Sequence, residues 1–268
     1  MGPIRAGMGG WTYPPWRGVF YPGGTRQADE LAFASRRVTA IEINSTYHSL
    51  QKPETFARWA DETPADFVFT VKASRFCTNR RVLAEAGEAV ERFFAQGLAR
   101  LGAKLGPILW QFMATKRLEP ADFAAFLDLL PASLEGRALR HCVEVRNPSF
   151  ATPAFVAMCR ERGVAICCSQ GDGWPLIADV TANFAYARLQ MGEDAIETGY
   201  RPADLDAWAR RLRAYAAGAA PGDLPLVDAD GAPATRPMEV FAFFIRGGKL
   251  RAPAAAMALL ERLASRNT

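Results

Sequence analysis

Residues 39–47 read TAIEINSTY, a short apolar run that carries Glu42 and Asn44 just before a polar turn. In a β-strand, residues two apart lie on the same face, so Glu42 and Asn44 share one face, opposite the two isoleucines. A carboxylate inside such a run is costly to bury without a partner. The stretch therefore predicts a buried strand that presents Glu42 to a polar site near its end.

Other short apolar runs follow the same pattern and predict seven further strands, at 5–9, 67–72, 107–111, 141–145, 164–168, 184–189 and 238–245. Amphipathic stretches between them predict helices at 26–36, 53–61, 85–104, 120–130, 153–162, 202–217 and 253–264. Strands that alternate with helices form a parallel sheet. Eight such units in 268 residues favour an α/β fold with one closed (β/α)8 TIM barrel, a single domain over residues 1–268.

One segment, residues 218–237, does not fit this alternation. It is rich in Ala, Gly, Pro and Asp and has no sustained period. The segment connects the predicted helix at 202–217 to the eighth strand. It should therefore lie at the N-terminal end of the barrel, where helices lead into strands. Its composition predicts a flexible insertion away from the chemistry.

Composition places the chain among ordinary folded proteins, with 50% hydrophobic and 22% charged residues. A net charge of +4 without a dense basic stripe argues against nucleic acid as a partner. The five cysteines are an odd number without CxxC spacing, which suits a reducing cytosol. The start resembles no signal peptide, and no stretch reaches the roughly 18 apolar residues of a membrane span. We expect a cytoplasmic protein without a membrane segment; the oligomeric state is not predicted.

Polar side chains recur where the predicted strands end, which is the end at which TIM barrels hold their active sites. They are Glu42 and Asn44 at the second strand, Lys72 at the third, Gln111 at the fourth, Glu144 and Arg146 at the fifth, Arg188 at the seventh and Arg246 at the eighth. Salt bridges alone could explain any one of them, but buried ion pairs often fail to repay their desolvation. The whole set predicts a ligand cavity.

The charges of this set predict an anionic ligand, because Lys72, Arg146, Arg188 and Arg246 outnumber the two carboxylates. Glu42 and Glu144 are the candidate general acid and base, and Lys72 is the third candidate catalytic residue. Lys72, Glu144 and Arg146 are also the expected neighbours of Glu42. The favoured function is an enzyme, a hydrolase or isomerase of a small phosphorylated metabolite. A non-catalytic ligand-binding protein of the same fold remains an alternative. So does a nucleic-acid-binding protein that uses the aromatic loop after the first strand together with Arg80 and Arg81.

No cofactor is evident in the sequence. Acidic and histidine side chains form no ligand-spaced pair, so no metal site is predicted, although Mg²⁺ held partly by a substrate phosphate stays open. Of the two histidines, His141 begins the fifth strand and therefore lies at the wrong end of the barrel for catalysis.

The loop after the first strand, residues 10–22 (GWTYPPWRGVFYP), is dense in aromatic residues. Its place in the chain puts it over the barrel mouth. Trp11 and Tyr13 are therefore candidate ligand-binding residues that could wall a pocket. The alternative is a hydrophobic plug on the barrel rim.

Six motifs in order along the chain resemble the domain-of-unknown-function 72 family, also called YecE-like. They are GGWTYPPWRGVFYP (9–22), IEINSTYHS (41–49), FVFTVKASRFCTN (67–79), LGPILWQF (105–112), VEVRNPSF (143–150) and YARLQM (186–191). The resemblance implies a TIM barrel with its site at the predicted end, and it implies no particular reaction. The chain departs from the family pattern at the ends of the later strands, with Gln190 in place of a histidine and Arg246 in place of an asparagine. An inherited metal-dependent activity is accordingly less expected here.

Overall fold

Eight parallel strands form a closed barrel in the computed structural model, which describes residues 1–231 and 235–265. The strands are β1 (Ile4–Gly9), β2 (Ala40–Ile43), β3 (Val68–Lys72), β4 (Leu105–Gln111), β5 (His141–Glu144), β6 (Ala165–Ser169), β7 (Phe184–Leu189) and β8 (Glu239–Phe244). Neighbouring strands follow chain order, and β8 pairs with β1 to close the barrel. The predicted (β/α)8 fold is confirmed.

The helices occupy the connections between the strands. They are α1 (Glu30–Ala34), α2 (Ser45–His48), α3 (Pro53–Asp61), α4 (Arg75–Thr78), α5 (Gly87–Ala95), α6 (Pro120–Asp128), α7 (Pro153–Glu161), α8 (Pro202–Ala217) and α9 (Ala252–Ala264). Four of the longer ones open with proline, whose fixed φ suits the first helical position. A hairpin of Ser133–Leu134 and Arg137–Ala138 precedes β5. None of the helices in the described ranges combines the length and apolar character that a membrane crossing needs.

The helix predicted at residues 85–104 is wrong as a single element. The structure has a short 3₁₀ turn, then α5, then a second 3₁₀ segment, Leu98–Lys104. Gly97 adopts φ 103° and Gly102 adopts φ 54°, conformations that end or interrupt a right-handed helix. The apolar periodicity continued past both glycines and concealed the break.

Two apolar layers hold the barrel together, one between strands and helices and one inside the barrel. The outer layer includes Phe69, Val71 and Val143, and the inner layer includes Cys142 and Phe241. Because alternate residues of each strand face opposite sides, the same alternation continues to the strand ends. The barrel interior is therefore apolar in its middle and charged at its C-terminal end.

The segment predicted as a flexible insertion, residues 218–237, is described except for residues 232–234, which lie outside the described residues. The backbone N–H groups of Val227 and Asp228 each donate to the Asp179 carboxylate at 2.8 Å. Arg160 of α7 donates to Asp228 at 2.6 Å. The described part is thus attached to the connection between β6 and β7 and to α7. Its flexibility stays a prediction.

Candidate functional site

Arg188, near the end of β7, lies at the centre of the charged cluster. Its guanidinium donates from Nε and Nη2 to the two oxygens of Glu42, at 3.1 and 3.0 Å, and from Nη1 to Glu144 at 2.5 Å. The Arg188 side chain is 1% exposed and both carboxylates are 0% exposed. The planar fork of arginine matches a carboxylate with two parallel hydrogen bonds. Arg188 is therefore the partner that makes the burial of Glu42 tolerable.

Glu42 has one further direct partner, Tyr186, which lies two residues before Arg188 on the same face of β7. The Tyr186 hydroxyl donates to Glu42 Oε2 at 2.7 Å and lies 2.9 Å from the Thr70 hydroxyl. Burial and the neighbouring Glu42 charge raise the pKa of Tyr186, so it stays a proton donor. Each oxygen of the Glu42 carboxylate thus accepts at least one hydrogen bond from a protein donor.

Glu144 is held by five donors: Ser169 (2.8 Å), Gln190 (3.2 Å) and Arg146 (3.2 Å) on Oε1, and Gln111 (2.5 Å) and Arg188 (2.5 Å) on Oε2. Burial alone would raise the pKa of this carboxyl. The charges of Arg188 and Arg146, together with the hydrogen bonds, outweigh burial and lower the pKa to about 2. Glu144 therefore stays ionised throughout the neutral range.

Lys72, at the end of β3, differs from the other members of the cluster. Its Nζ lies 3.9 Å from the centre of the Tyr47 ring, and no hydrogen-bond acceptor for it is found within residues 1–231 and 235–265. Burial and the charge of Arg188 lower its pKa to about 8, although Glu42 and Glu144 act in the opposite direction. The cluster therefore contains a primary amine that can exchange its proton close to neutral pH.

Trp174 lies over the cluster between two arginines. The Arg146 guanidinium lies 3.9 Å from the centre of its ring, and the Arg246 guanidinium lies 4.6 Å away. Trp174 belongs to the connection between β6 and β7. A side chain at Gly171 would meet the Trp174 ring at 2.1 Å, so the close packing there requires glycine. Arg246 follows β8 and joins the site through this indole.

A cavity of about 780 Å³ opens beside the cluster, between the loop after β1 and the helices that follow β2. Trp11 and Asn44 line it, and Trp11 packs edge-on against Trp59 with ring centres 4.9 Å apart. A side chain at Gly9 would meet Asn44 Nδ2 at 2.8 Å and lie 3.9 Å from Glu42 Oε1. The cavity therefore reaches Gly9 and Asn44, close to Glu42, although Glu42, Glu144 and Arg188 themselves do not line it. Its volume is typical of a small-molecule site.

The predicted site residues separate into four groups. The structure brings six together in the cluster: Glu42, Lys72, Gln111, Glu144, Arg146 and Arg188. Arg246 reaches them through Trp174, while Trp11 and Asn44 line the neighbouring cavity. Tyr13 lies apart, packed on Trp16 at 5.4 Å with Lys249 4.4 Å from its ring centre. The roles of all ten stay predictions.

Several site residues were absent from the predicted set. Thr70, Tyr186 and Gln190 lie two residues from Lys72 or Arg188 on the same strand faces. Extending the strand alternation by one step would have found them. Tyr47 belongs to the one-turn helix α2 and Trp174 to a loop, and neither is long or regular enough for periodicity to indicate which way a side chain points.

Metal ligands do not cluster at this site. In the part of the chain that the structure describes, no group of three or more histidine, cysteine, aspartate or glutamate side chains could hold a metal ion. His141 lies at the opposite end, where its Nε2–H donates to the Pro131 carbonyl at 2.8 Å and its Nδ1 accepts from the Trp110 indole N–H at 3.1 Å. Burial lowers the pKa of His141, which suits a neutral structural histidine.

The fold and the charged strand ends place this chain among (β/α)8-barrel proteins with a polar C-terminal face. The model of the family described as "Protein of unknown function DUF72" matches residues 5–268, and the chain belongs to that family. The UPF0759 protein YecE of Escherichia coli strain K12 is 29% identical over 150 residues, 55% of this chain and 50% of that protein. The chain thus spans about half the length of the curated relatives it matches.

Two crystal structures share the fold along almost the whole chain. A DUF72 family protein from Thermotoga maritima MSB8 has a TM-score of 0.74 and 18% identity, covering 98% of this chain and 100% of its own. A DUF72 family protein from Enterococcus faecalis V583 has a TM-score of 0.70 and 16% identity, with 99% and 97% covered. At such identities the likeness shows the fold alone.

Proposed function

We propose that this protein is an enzyme that acts on a small anionic metabolite, preferably a phosphorylated one, at the C-terminal end of the barrel. The supporting observation is the position of Lys72 and Arg146 beside a carboxylate pair that Arg188 already neutralises in part. With Arg246 above them, the cations outnumber the carboxylates. An anion that enters between Lys72 and Arg146 would therefore meet uncompensated positive charge.

Lys72 is the group to which we assign proton transfer. An acid or base works best when its pKa lies near the working pH, and the pKa of Lys72 is about 8. Glu144, with a pKa of about 2, holds no proton to give at neutral pH. The hypothesis that Glu42 and Glu144 transfer protons is therefore modified in this proposal: both carboxylates hold Arg188 in place and raise the pKa of Lys72. Hydrolysis and isomerisation both remain compatible with these roles.

A non-catalytic ligand-binding protein is the second candidate. It is favoured because every carboxylate oxygen of Glu42 and Glu144 already accepts a hydrogen bond from a protein donor. Nucleic-acid binding has less support. The rings of Trp11 and Tyr13 pack edge-on against other tryptophans instead of standing free to stack on bases.

Ligand screening with a matched pair of lysine variants tests the proposal. Inorganic phosphate and a set of phosphorylated metabolites are screened for thermal stabilisation, and the hits are then assayed for turnover. A ligand at a hundred times its Kd should stabilise the protein by about 2.7 kcal/mol. Lys72→Met should abolish turnover, whereas Lys52→Met, at an exposed lysine, should behave as the native protein. Binding without turnover would favour the second candidate, and the absence of any stabilising anion would contradict both.

Mg²⁺ would enter the site on the phosphate of its substrate, because Arg188 occupies the carboxylates. Turnover that survives EDTA would show that Lys72 and the arginines suffice.

A cytoplasmic location is proposed on the five cysteines, all of which are buried and unpaired among the described residues.

A further inference from the structure

We infer that the anion bound at this site also carries hydroxyl groups next to its charged end, as in a sugar phosphate, a polyol phosphate or a sugar acid. This inference rests on the proposed function and names its substrate class. It is based on two glutamine side chains, Gln111 and Gln190, whose carbonyl oxygens are turned away from Glu144.

The orientation of these amides follows from their partner. Gln111 Nε2 donates to Glu144 at 2.5 Å, and Gln190 Nε2 donates to the same carboxylate at 3.2 Å. An ionised carboxylate only accepts hydrogen bonds, so each glutamine must present its nitrogen to Glu144. The usual ambiguity between amide nitrogen and oxygen is thereby removed. Both carbonyl oxygens must face away from Glu144.

Gln190 has no further freedom to rearrange. Its Nε2 also donates to Ser169 Oγ at 2.8 Å, and the Ser169 hydroxyl donates its own proton to Glu144 at 2.8 Å. Both protons of the amide are therefore engaged. Gln190 Oε1 is buried and receives no donor from the described residues, and the same is true of Gln170 Oε1 just beyond β6. Buried acceptors without a donor are unfavourable, so these oxygens indicate a donor that the protein itself does not supply.

Unused donors lie in the same cluster. Arg146 Nε is buried and meets no acceptor in the described ranges, and Lys72 Nζ lies 3.9 Å from the centre of the Tyr47 ring. A bare anion would satisfy these cations but leave Gln190 unmatched, and a neutral polyol would do the reverse. A molecule with both groups matches the site completely. A ligand group that reproduces the hydrogen bonds of an ordered water can displace it without loss of affinity.

Two ligands with the same three-carbon chain test this directly. The Kd values of glycerol 3-phosphate and propyl phosphate, which differ only in hydroxyl groups, are measured by calorimetry on the full chain, with inorganic phosphate and glycerol alongside. We expect glycerol 3-phosphate to bind at least about tenfold more tightly than propyl phosphate, and glycerol alone not to bind. Equal Kd values for the two esters would overturn the inference and leave the proposed function intact. If neither ester nor phosphate binds, both are overturned.

A glutamine variant locates the preference within the site. Gln190→Met keeps the length of the side chain and removes its amide, so the preference for glycerol 3-phosphate should fall to less than about threefold while propyl phosphate binding changes little. Gln96→Met, at a buried glutamine outside the site that donates to the Phe93 carbonyl, is the matched control and should keep the preference. A Gln190→Met protein that keeps the full preference would contradict the inference. If Gln190→Met does not fold, the Kd values of the two esters on the native protein still test the inference.

Discussion

Each end of the barrel holds a triad of charged side chains. The N-terminal triad has two arginines and one carboxylate, whereas the triad within the C-terminal cluster has one arginine and two carboxylates. At the N-terminal end, one carboxylate, Glu239, pairs with Arg5 and with Arg140 at 2.6 Å. At the C-terminal end, one arginine, Arg188, lies between two carboxylates. The side chains of Arg5, Glu239 and Arg140 are between 19% and 29% exposed, whereas those of Glu42, Arg188 and Glu144 are at most 1% exposed.

This difference in burial separates a structural cluster from a candidate site. Part-exposed ion pairs contribute little, because water screens them and long side chains lose freedom. Fully buried charges carry a large desolvation cost that only a complete set of partners offsets. The part-exposed ion pairs at the N-terminal end carry a smaller desolvation cost, and they are sufficient for a fold that needs only to close its barrel. The costly arrangement at the other end adjoins Lys72, whose pKa it adjusts.

Removing the central arginine should have the largest effect. Arg188→Met would leave Glu42 and Glu144 buried without their shared cation, and we expect the free energy of unfolding to fall by about 3–5 kcal/mol. Urea denaturation at neutral pH measures it. A loss below about 1 kcal/mol would show that the C-terminal cluster is no more demanding than the part-exposed one.

Acid should weaken the C-terminal cluster through Glu144. The pKa of this carboxyl is lowered from 4.5 to about 2 in the folded protein. Its stabilising contribution is therefore complete above about pH 5 and is lost as pH falls through about 2, and it amounts to about 3 kcal/mol. Glu144→Gln removes this contribution, so the difference between native and variant unfolding free energies should shrink between pH 7 and pH 3. A difference that does not change with pH would contradict the low pKa.

The smallest effect is expected at the N-terminal end. Arg5→Met removes one of the two cations on Glu239 and leaves Arg140 in place. Because the pair is part-exposed, the loss in unfolding free energy should be about 0–1 kcal/mol. The same denaturation experiment applies, and a loss as large as that of Arg188→Met would abolish the distinction between the two ends.

Strand alternation was enough to predict the barrel and the end at which polar residues gather. The pattern around Glu42 repeats at Lys72, Glu144 and Arg188, and each of these side chains points into the barrel as expected. Alternation fixes which face a residue occupies, and the known location of TIM-barrel sites fixes which end matters. These two rules account for the correct part of the site prediction.

The partners of each residue could not be predicted in the same way. Lys72, Glu144 and Arg146 were the expected neighbours of Glu42, but its direct partners are Arg188 and Tyr186, both on β7. Strands β2 and β7 are not adjacent, so the pairing depends on how the closed barrel brings opposite walls together.

The predicted helix at 85–104 failed for a local reason, because Gly97 and Gly102 adopt positive φ.

The pKa of Lys72 tests most directly whether the C-terminal cluster is a tuned site. The rate of acylation of Lys72 by an amine-specific reagent is followed against pH by mass spectrometry, with exposed Lys52 as the internal reference. We expect the Lys72 rate to reach half its maximum near pH 8, about two pH units below the midpoint of a free lysine side chain in a peptide. The midpoint is compared instead of the rate because Lys72 is less accessible. A Lys72 midpoint equal to that of Lys52 would contradict the assignment of proton transfer to this residue.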